Sequence, residues 1–370
     1  MSPPGASLSR KTALWGEHVA LGADMDAYAW AGMAMPWTYR TSLAEEQRAV
    51  RERAGLADVS QLQVVSVRGP GAVSCLERLV PRRIADMAVG TSRFTVLLSR
   101  FGRICDEALV LRVAEDELWL SHGAGATRAQ LAKLVDSGQA PDVQVATLDD
   151  LHVLSLQGPS SAEVLASLTR EDVAGLPFLG HRQVTLGPHD VLLSRSGFTG
   201  ELGFELFCRA DDAVPLWRLL LSAAAPVGVV PYGYRCVDLL RIKAGFTLYP
   251  SDLGGVSSLW EAGLSWLVRD KVGEYVGHEA VAKAKEWFGT DAKACRTSTE
   301  LLSLPDVDAV FIASCDHWHA SHLEQVAQAG KHIYVEKPMA IEQDELNRAY
   351  AAANAFMDAI ASQQAAYLGQ

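Results

Sequence analysis

The segment Arg195–Glu205 (RSGFTGELGFE) carries two carboxylates, Glu201 and Glu205, four residues apart behind two glycines. Gly197 and Gly200 allow tight turns or positive φ. Phe204 and Leu206 flank Glu205 in a strand-like alternation, which puts the acid on the face opposite its apolar neighbours. A carboxylate fixed at a strand start beside an aromatic can accept paired N–H bonds from a flat heterocycle. Glu205 is the first candidate for that contact and Glu201 the second. The plain alternative is a hairpin with a solvated glutamate. A second acidic pair, Asp106–Glu107, follows the turn at Gly102. Asp106 can project from that turn into a cleft, or simply cap the hairpin. Glu107 alternates with it towards the other face.

Strands and helices must hold these side chains in place. Leu62–Val67, Phe94–Ser99, Glu107–Val113 and Asp116–Ser121 read as strands, the last two joined by a hairpin at Ala114–Glu115. Further on, Arg182–Gly187, Val191–Ser196 and Phe204–Cys208 read likewise. Leu43–Arg53 has helical spacing, with Glu45, Glu46, Arg48, Arg51 and Glu52 on its polar side. Ala126–Val135, Ala213–Ala224 and Cys236–Gly245 are also helical in pattern. One unit recurs: VSVRGPGAVSCLERLV (Val65–Val80) aligns with LSLQGPSSAEVLASLT (Leu154–Thr169), 89 residues on. Both read as strand, polar residue, Gly-Pro, helix, with Pro70 and Pro159 suited to a first helical turn. Two similar α+β lobes packed together are the expected architecture.

Composition sets the outer limits. At 370 residues, 49% of them apolar, the chain has core enough for two or three domains. A net charge of −11 argues against a nucleic-acid or anionic-membrane partner. The cysteines at 75, 105, 208, 236, 295 and 315 are scattered, with no Cys-x-x-Cys among them, and read as reduced thiols. Cys105 adjoins Asp106, and a neighbouring carboxylate makes a thiol a poor nucleophile. No apolar run of membrane-spanning length exists, and Glu17 and His18 stand where a signal peptide needs an apolar block. A cytoplasmic protein is therefore expected.

Five segments, in order, resemble the aminomethyltransferase family, which comprises the glycine cleavage T-protein and tetrahydrofolate-dependent demethylases. They are His18–Tyr39, Ala49–Ser60, Gly102–Val110 (GRICDEALV), Val237–Asp252 (VDLLRIKAGFTLYPSD) and Tyr275–Val281 (YVGHEAV). The glycine turn Arg195–Glu205 falls among them. The likeness runs from about residue 15 to residue 285. After about Glu286 the text changes: PDVDAVFIA, DHWH (Asp316–His319) and EKP (Glu336–Pro338) resemble a fragment of the glucose–fructose oxidoreductase and inositol dehydrogenase family. Its β-α-β pattern lacks the preceding Gly-x-Gly-x-x-Gly unit that cradles a pyrophosphate. Lys337, His317 and His319 therefore read as inherited but idle. The run Asp316, His317, His319, His322 is explained by its strand-to-helix context, and no metal is expected.

The first resemblance implies an α+β fold with two folate-binding lobes over residues 1–285. A partial Rossmann-like β-α-β segment (286–346) stands in place of the family's closing β-barrel, and a helical tail covers 347–370. It implies one-carbon transfer from a methylated or aminomethyl donor to tetrahydrofolate, with Asp106 as the catalytic acid. It also implies folate contacts from Glu205, Glu201, Arg241, Tyr249, Met35, Tyr39 and Gln157. Arg241 can pair with Asp238 one helical turn earlier. Gln157 can contact ligand or only cap its turn. The sequence departs from the family at Lys243, Pro250 and Ser121-His122-Gly123, where an Asn is usual, and this leaves the donor open. A non-catalytic folate-binding or regulatory protein is the alternative, and an NAD(P)-dependent oxidoreductase a weaker one. A protein partner or an oligomer through the C-terminal segment is an open expectation.

Overall fold

The computed structural model describes residues 10–30, 32–123, 125–254, 257–288, 295, 297–312 and 316–335, together with 344, 347, 348, 351 and 352. The chain divides into two compact units, Met1–Ala292 and Lys293–Gln370. The first unit begins with α1 (Trp15–Ala20), β1 (Ala29–Trp30), β2 (Met33–Ala34), α2 (Leu43–Glu52), β3 (Gly55–Asp58) and β4 (Gln63–Arg68). It continues through α3 (Ala72–Leu79), β5 (Ser92–Leu98), β6 (Ile104–Ala114), β7 (Glu117–His122), α4 (Thr127–Asp136), β8 (Gln144–Thr147) and β9 (Leu151–Gln157). Then follow α5 (Ser161–Ala166), β10 (His181–Leu186), β11 (His189–Ser194), β12 (Gly203–Arg209), α6 (Ala210–Ala224), β13 (Val230–Pro231), α7 (Tyr234–Ala244) and α8 (His278–Phe288).

Two sheets carry this unit, in the orders β5-β6-β7-β4-β8 and β10-β11-β12-β9-β3-β13. The sequence repeat is visible in them: β4 leads into α3 as β9 leads into α5. The joining glycines share an unusual backbone, φ 124° at Gly69 and 126° at Gly158. A Cβ at either would strike a carbonyl oxygen, of Asp142 or of Val50, so glycine is required at both. Pro70 and Pro159 lie outside the first helical turn expected of them, just before the N-cap residues Gly71 and Ser160. The strand preceding each repeat crosses over. β3, just before β4, pairs with β9; β8, just before β9, pairs with β4. The two lobes are thereby interleaved.

Alternation along the strands sorts side chains into three layers. Val65, Val67, Ala108, Val110, Leu118 and Leu120 pack outward on α3 and α4. Leu154, Leu156, Phe204 and Leu206 pack on α5 and α6, around the fully buried Trp217. The opposite faces meet between the sheets: Val64 and Leu111 from the first, Val153, Leu192 and Phe207 from the second, with Tyr232 and α7 residues. One acid departs from its expected setting. Glu46, placed by its spacing on the solvated side of α2, is fully buried. It accepts from the Tyr39 and Gly233 N–H groups at 3.2 and 3.1 Å and from the Thr41 hydroxyl at 3.1 Å. It thus ties the leading segment to the start of α7, and burial holds its carboxyl above the ordinary range.

The second unit holds α9 (Ser298–Leu302), β14 (Ala309–Ile312), α10 (Asp316–Gln328) and β15 (His332–Val335). β14 and β15 are parallel, Ala309 opposite His332, as a β-α-β unit requires. β14 is not buried on both faces as its apolar run suggests. Ile312 packs on Ala320, Leu323 and Val326, but Phe311 is 57% exposed and stacks on Tyr334. Among the described residues one helix covers one face only. Cys315, Lys337 and the side chain of His317 lie outside the described residues, as does nearly all of the tail.

Candidate functional site

The glycine turn closes on Gln157. Gly200 takes φ +79°, and a Cβ at Gly197 or Gly203 would collide with the Gln157 amide. Gln157 donates to the carbonyls of Ser196 and Phe204 at 3.2 and 3.4 Å and accepts from the Thr199 hydroxyl at 3.0 Å. Its polar atoms serve the turn. Glu201 sits on that turn, its N–H donated to Thr199 Oγ1 at 3.3 Å. Glu205 extends from β12 on the same side as Phe207, into the layer between the sheets. The Ser196 hydroxyl donates to its Oε2 at 2.5 Å. Burial pushes this carboxyl up, against the pull of Ser196.

A second group gathers around Arg241 on α7. Its Nε donates to Asp238 at 2.8 Å and Nη2 pairs with the same carboxylate, while Nη1 donates to Asp252 and to the Phe246 carbonyl. The guanidinium, with only 5% of the side chain exposed, is thereby held in one plane between two carboxylates. Tyr249 follows, its N–H donated to Glu107 Oε1 at 3.1 Å. Glu107 shares the inter-sheet face of β6 with Leu109 and Leu111. Burial first, and then the negative charges of Asp106 and Asp252, push its carboxyl up to about 8, opposed by the Tyr249 N–H and Arg241. Its Oε2 is buried with no partner.

Asp106 lies on the other face of β6, with Ala108, under α4. Its Oδ2 accepts from His122 Nδ1 at 3.1 Å, the Thr127 N–H at 3.2 Å and the Thr127 hydroxyl at 2.5 Å. Its Oδ1 accepts the Glu107 N–H at 2.9 Å. Asp106 and Glu205 therefore do not share a layer; Glu107 and Glu205 do. The Asp106 charge still reaches across the strand, adding to the hold on the Glu107 and Tyr249 protons. Burial, more than this carboxylate, raises Cys105 to about 11.

Met35 and Tyr39 are both buried, in different places. Met35 belongs to an aromatic cluster with Tyr28, Trp30, Tyr234 and Leu248, against which Phe198 of the glycine turn packs. Tyr28 stacks on Tyr234 at 4.3 Å and on Trp37 at 5.1 Å. Phe198 in turn stacks on Phe246, linking the Gln157–Glu205 group to the Arg241 group. Tyr39 faces elsewhere. Its hydroxyl lies 2.9 Å from His18 Nδ1, and His18 Nε2 lies 2.9 Å from Asp58, which also binds Thr12 and Ser60. Burial opposes charge on Asp58, but His18, Ser60 and Thr12 together hold its carboxyl below the ordinary range. Sequence reasoning missed Glu46, Asp58 and His122 as organisers. Only His122 carried a signal, as part of the run Ser121-His122-Gly123 that stands where the family usually has an Asn.

Comparison with known proteins covers most of the chain. Residues 14–271 match the family described as GCVT N-terminal domain, and residues 275–359 match an oxidoreductase family with an NAD-binding Rossmann fold. An aminomethyltransferase of Streptomyces coelicolor is 37% identical over 279 residues, 75% of this chain and 74% of the relative. The heme-dependent oxidative N-demethylase gamma subunit of Ectopseudomonas mendocina is 36% identical over 271 residues, 70% of each chain. The crystal structure of the glycine cleavage system aminomethyltransferase T from Bartonella henselae is 31% identical, covers 76% of both chains and superposes with a TM-score of 0.68. Among the described residues no helix is long and apolar enough to cross a membrane.

Proposed function

This chain belongs to the GCVT aminomethyltransferase family of tetrahydrofolate-dependent transferases, and on that footing we propose that it moves a methyl or aminomethyl unit from a small donor to tetrahydrofolate. Tetrahydrofolate supplies the amine that accepts the one-carbon unit. One observation carries the reading: Glu205 and Glu107, from different lobes, both extend into the layer between the sheets beside aromatic rings. Buried polar atoms without partners, Glu107 Oε2 and Trp30 Nε1, suit a flat ligand with donors and acceptors on its edge.

In this reading Glu205 accepts N–H bonds from the pterin edge, with Glu201 beside it on the turn and Gln157 holding the turn's shape. Met35 and the aromatic cluster flank the ring. Arg241, braced by Asp238 and Asp252, and Tyr249 bind the remainder of the folate; Tyr39 supports the leading segment through His18. Asp106 supplies negative charge near the transferred carbon from across the strand. The interleaved lobes exclude water. The donor is of small-molecule size, and kinship with a gamma subunit makes a protein partner part of the same proposal.

Calorimetric titration with 5-formyltetrahydrofolate tests it. Saturable one-to-one binding is expected, weakened about tenfold or more by Glu205→Ala through loss of a charge-assisted bond. No binding by the intact chain, or binding indifferent to Glu205, would refute it.

A further inference from the structure

Glu205 stands among hydroxyls. Ser194 lies opposite it on β11 and Ser155 opposite it on β9, and both serines are buried. The Ser155 hydroxyl pairs with the Tyr232 phenol. Ser196 Oγ, also buried, lies 2.5 Å from Glu205 Oε2 and 2.9 Å from Ser194 Oγ. A hydroxyl has a single hydrogen, and an ionised carboxylate has none to give. With Glu205 ionised, Ser196 therefore donates to it and Ser194 donates to Ser196, two bonds that polarise in the same sense. Gln157 Nε2 holds the Ser196 carbonyl at 3.2 Å and fixes the backbone from which this hydroxyl points. Burial alone would favour the neutral acid, and Ser196 opposes it. Tyr232 before α7 and Cys236 on α7, which pack in the same layer, are both held neutral by burial. Arg241 is paired with Asp238 and Asp252, and Glu107 feels Arg241, Asp106 and Asp252. Among the described residues, none of these charges, nor Glu201 on the turn, acts on Glu205.

Resting on the folate reading, we propose that Ser196, backed by Ser194, is the positioning residue that keeps Glu205 an acceptor, and that folate binding is therefore linked to the proton on Glu205. An ionised carboxylate accepts from a ring N–H and an exocyclic amino group together. A protonated carboxyl gives one oxygen over to an O–H, which opposes the second N–H of the ligand. The chain thus receives the pterin with Glu205 ionised. Where the free chain carries the proton, binding releases it to water. Affinity is present above the folded value of the carboxyl and is lost as pH falls through it. Removing the Ser196 hydroxyl moves that loss to higher pH.

Two measurements on the full-length chain test this. Carbon-13 NMR with labelled glutamate carboxyls, Glu205→Gln assigning the signal, follows the carboxyl without ligand. Ser196→Ala should move its titration midpoint to higher pH, and Ser194→Ala should move it the same way by less. Calorimetry with 5-formyltetrahydrofolate from pH 6 to pH 9 follows the consequence. Ser196→Ala should bind about tenfold or more weakly than wild type at the acid end, with the gap closing to within about threefold at the alkaline end. Ionisation of the ligand itself is common to both chains and cancels. Ser196→Thr, which keeps the hydroxyl, should recover most of the affinity that Ser196→Ala loses. A carboxyl midpoint that Ser196→Ala leaves unmoved, or an affinity gap that is the same at every pH, overturns the role of Ser196 while leaving the folate reading intact. A wild-type chain that binds no folate overturns that reading and the proton linkage with it.

Discussion

Replacing Glu107 by Gln should stabilise the protein, and by an amount that grows with pH. The carboxyl has an ordinary value of 4.5 and is pushed up to about 8 in the folded chain, chiefly by burial. Below pH 4.5 both the folded and the unfolded chain hold the proton, so the group costs nothing. Between the two values the unfolded chain releases its proton and the folded chain keeps it. Stability then falls by about 1.4 kcal/mol per pH unit and levels off above the folded value. At pH 7 the accumulated penalty is about 3 kcal/mol. Gln retains an oxygen for the Tyr249 N–H and is never charged. Urea unfolding of both chains at about pH 5, 7 and 9 checks this, with the midpoint difference converted through a common slope. Near-identity at pH 5 and a widening gap at pH 7 and 9 are expected. A gap independent of pH, or a Gln variant less stable at pH 7, would refute the claim that Glu107 is held neutral by its surroundings.

Two further substitutions probe other parts of the frame. Gly197→Ala should displace the Gln157 amide and loosen the turn that carries Glu201 and leads to Glu205, costing about 1–3 kcal/mol of stability. 5-Formyltetrahydrofolate affinity should fall with it, and unchanged calorimetry would show the turn is irrelevant to binding. Asp58→Asn strips acceptors from His18, Thr12 and Ser60 and should cost about 1–3 kcal/mol at neutral pH. Because the Asp58 carboxyl is held low, its stabilisation is present above the ordinary carboxylate value and lost as pH falls through the folded one. Melting temperatures measured down through that acid range should therefore converge for the two chains; parallel curves would show the network carries no pH dependence.

Much of the architecture was legible because it rests on local pattern. The Gly-Pro repeat announced two lobes, and the matched φ angles of Gly69 and Gly158 give the physical reason. The alternation around Glu205 placed it opposite Phe204 and Leu206, as observed. What could not be read depends on contacts distant in sequence. The crossover of β3 and β8 into each other's sheets leaves no local mark. Glu46 looks like any helix-surface acid, since its three donors come from loops and from Gly233, nearly two hundred residues on. Asp58 and His18 are likewise joined only by the fold.

The acidic pair at 106 and 107 shows how far alternation alone can carry an argument. A strand must send neighbours to opposite faces, so one turn cannot aim both acids at one ligand. Asp106 meets four donor contacts from the chain itself and has little left to offer a substrate directly. What it can still do is act at a distance, by orienting His122 and by its charge on Glu107. Glu107 has the reverse character: one oxygen satisfied, one bare, and a proton retained past neutrality. A group of that kind can donate a hydrogen bond where an ionised neighbour can only accept. Adjacent acids thus take on distinct capacities because the fold solvates them differently. Exchanging them, Asp106→Glu with Glu107→Asp, should disturb both, since the longer side chain overfills the Thr127 pocket and the shorter one falls short of the Tyr249 N–H.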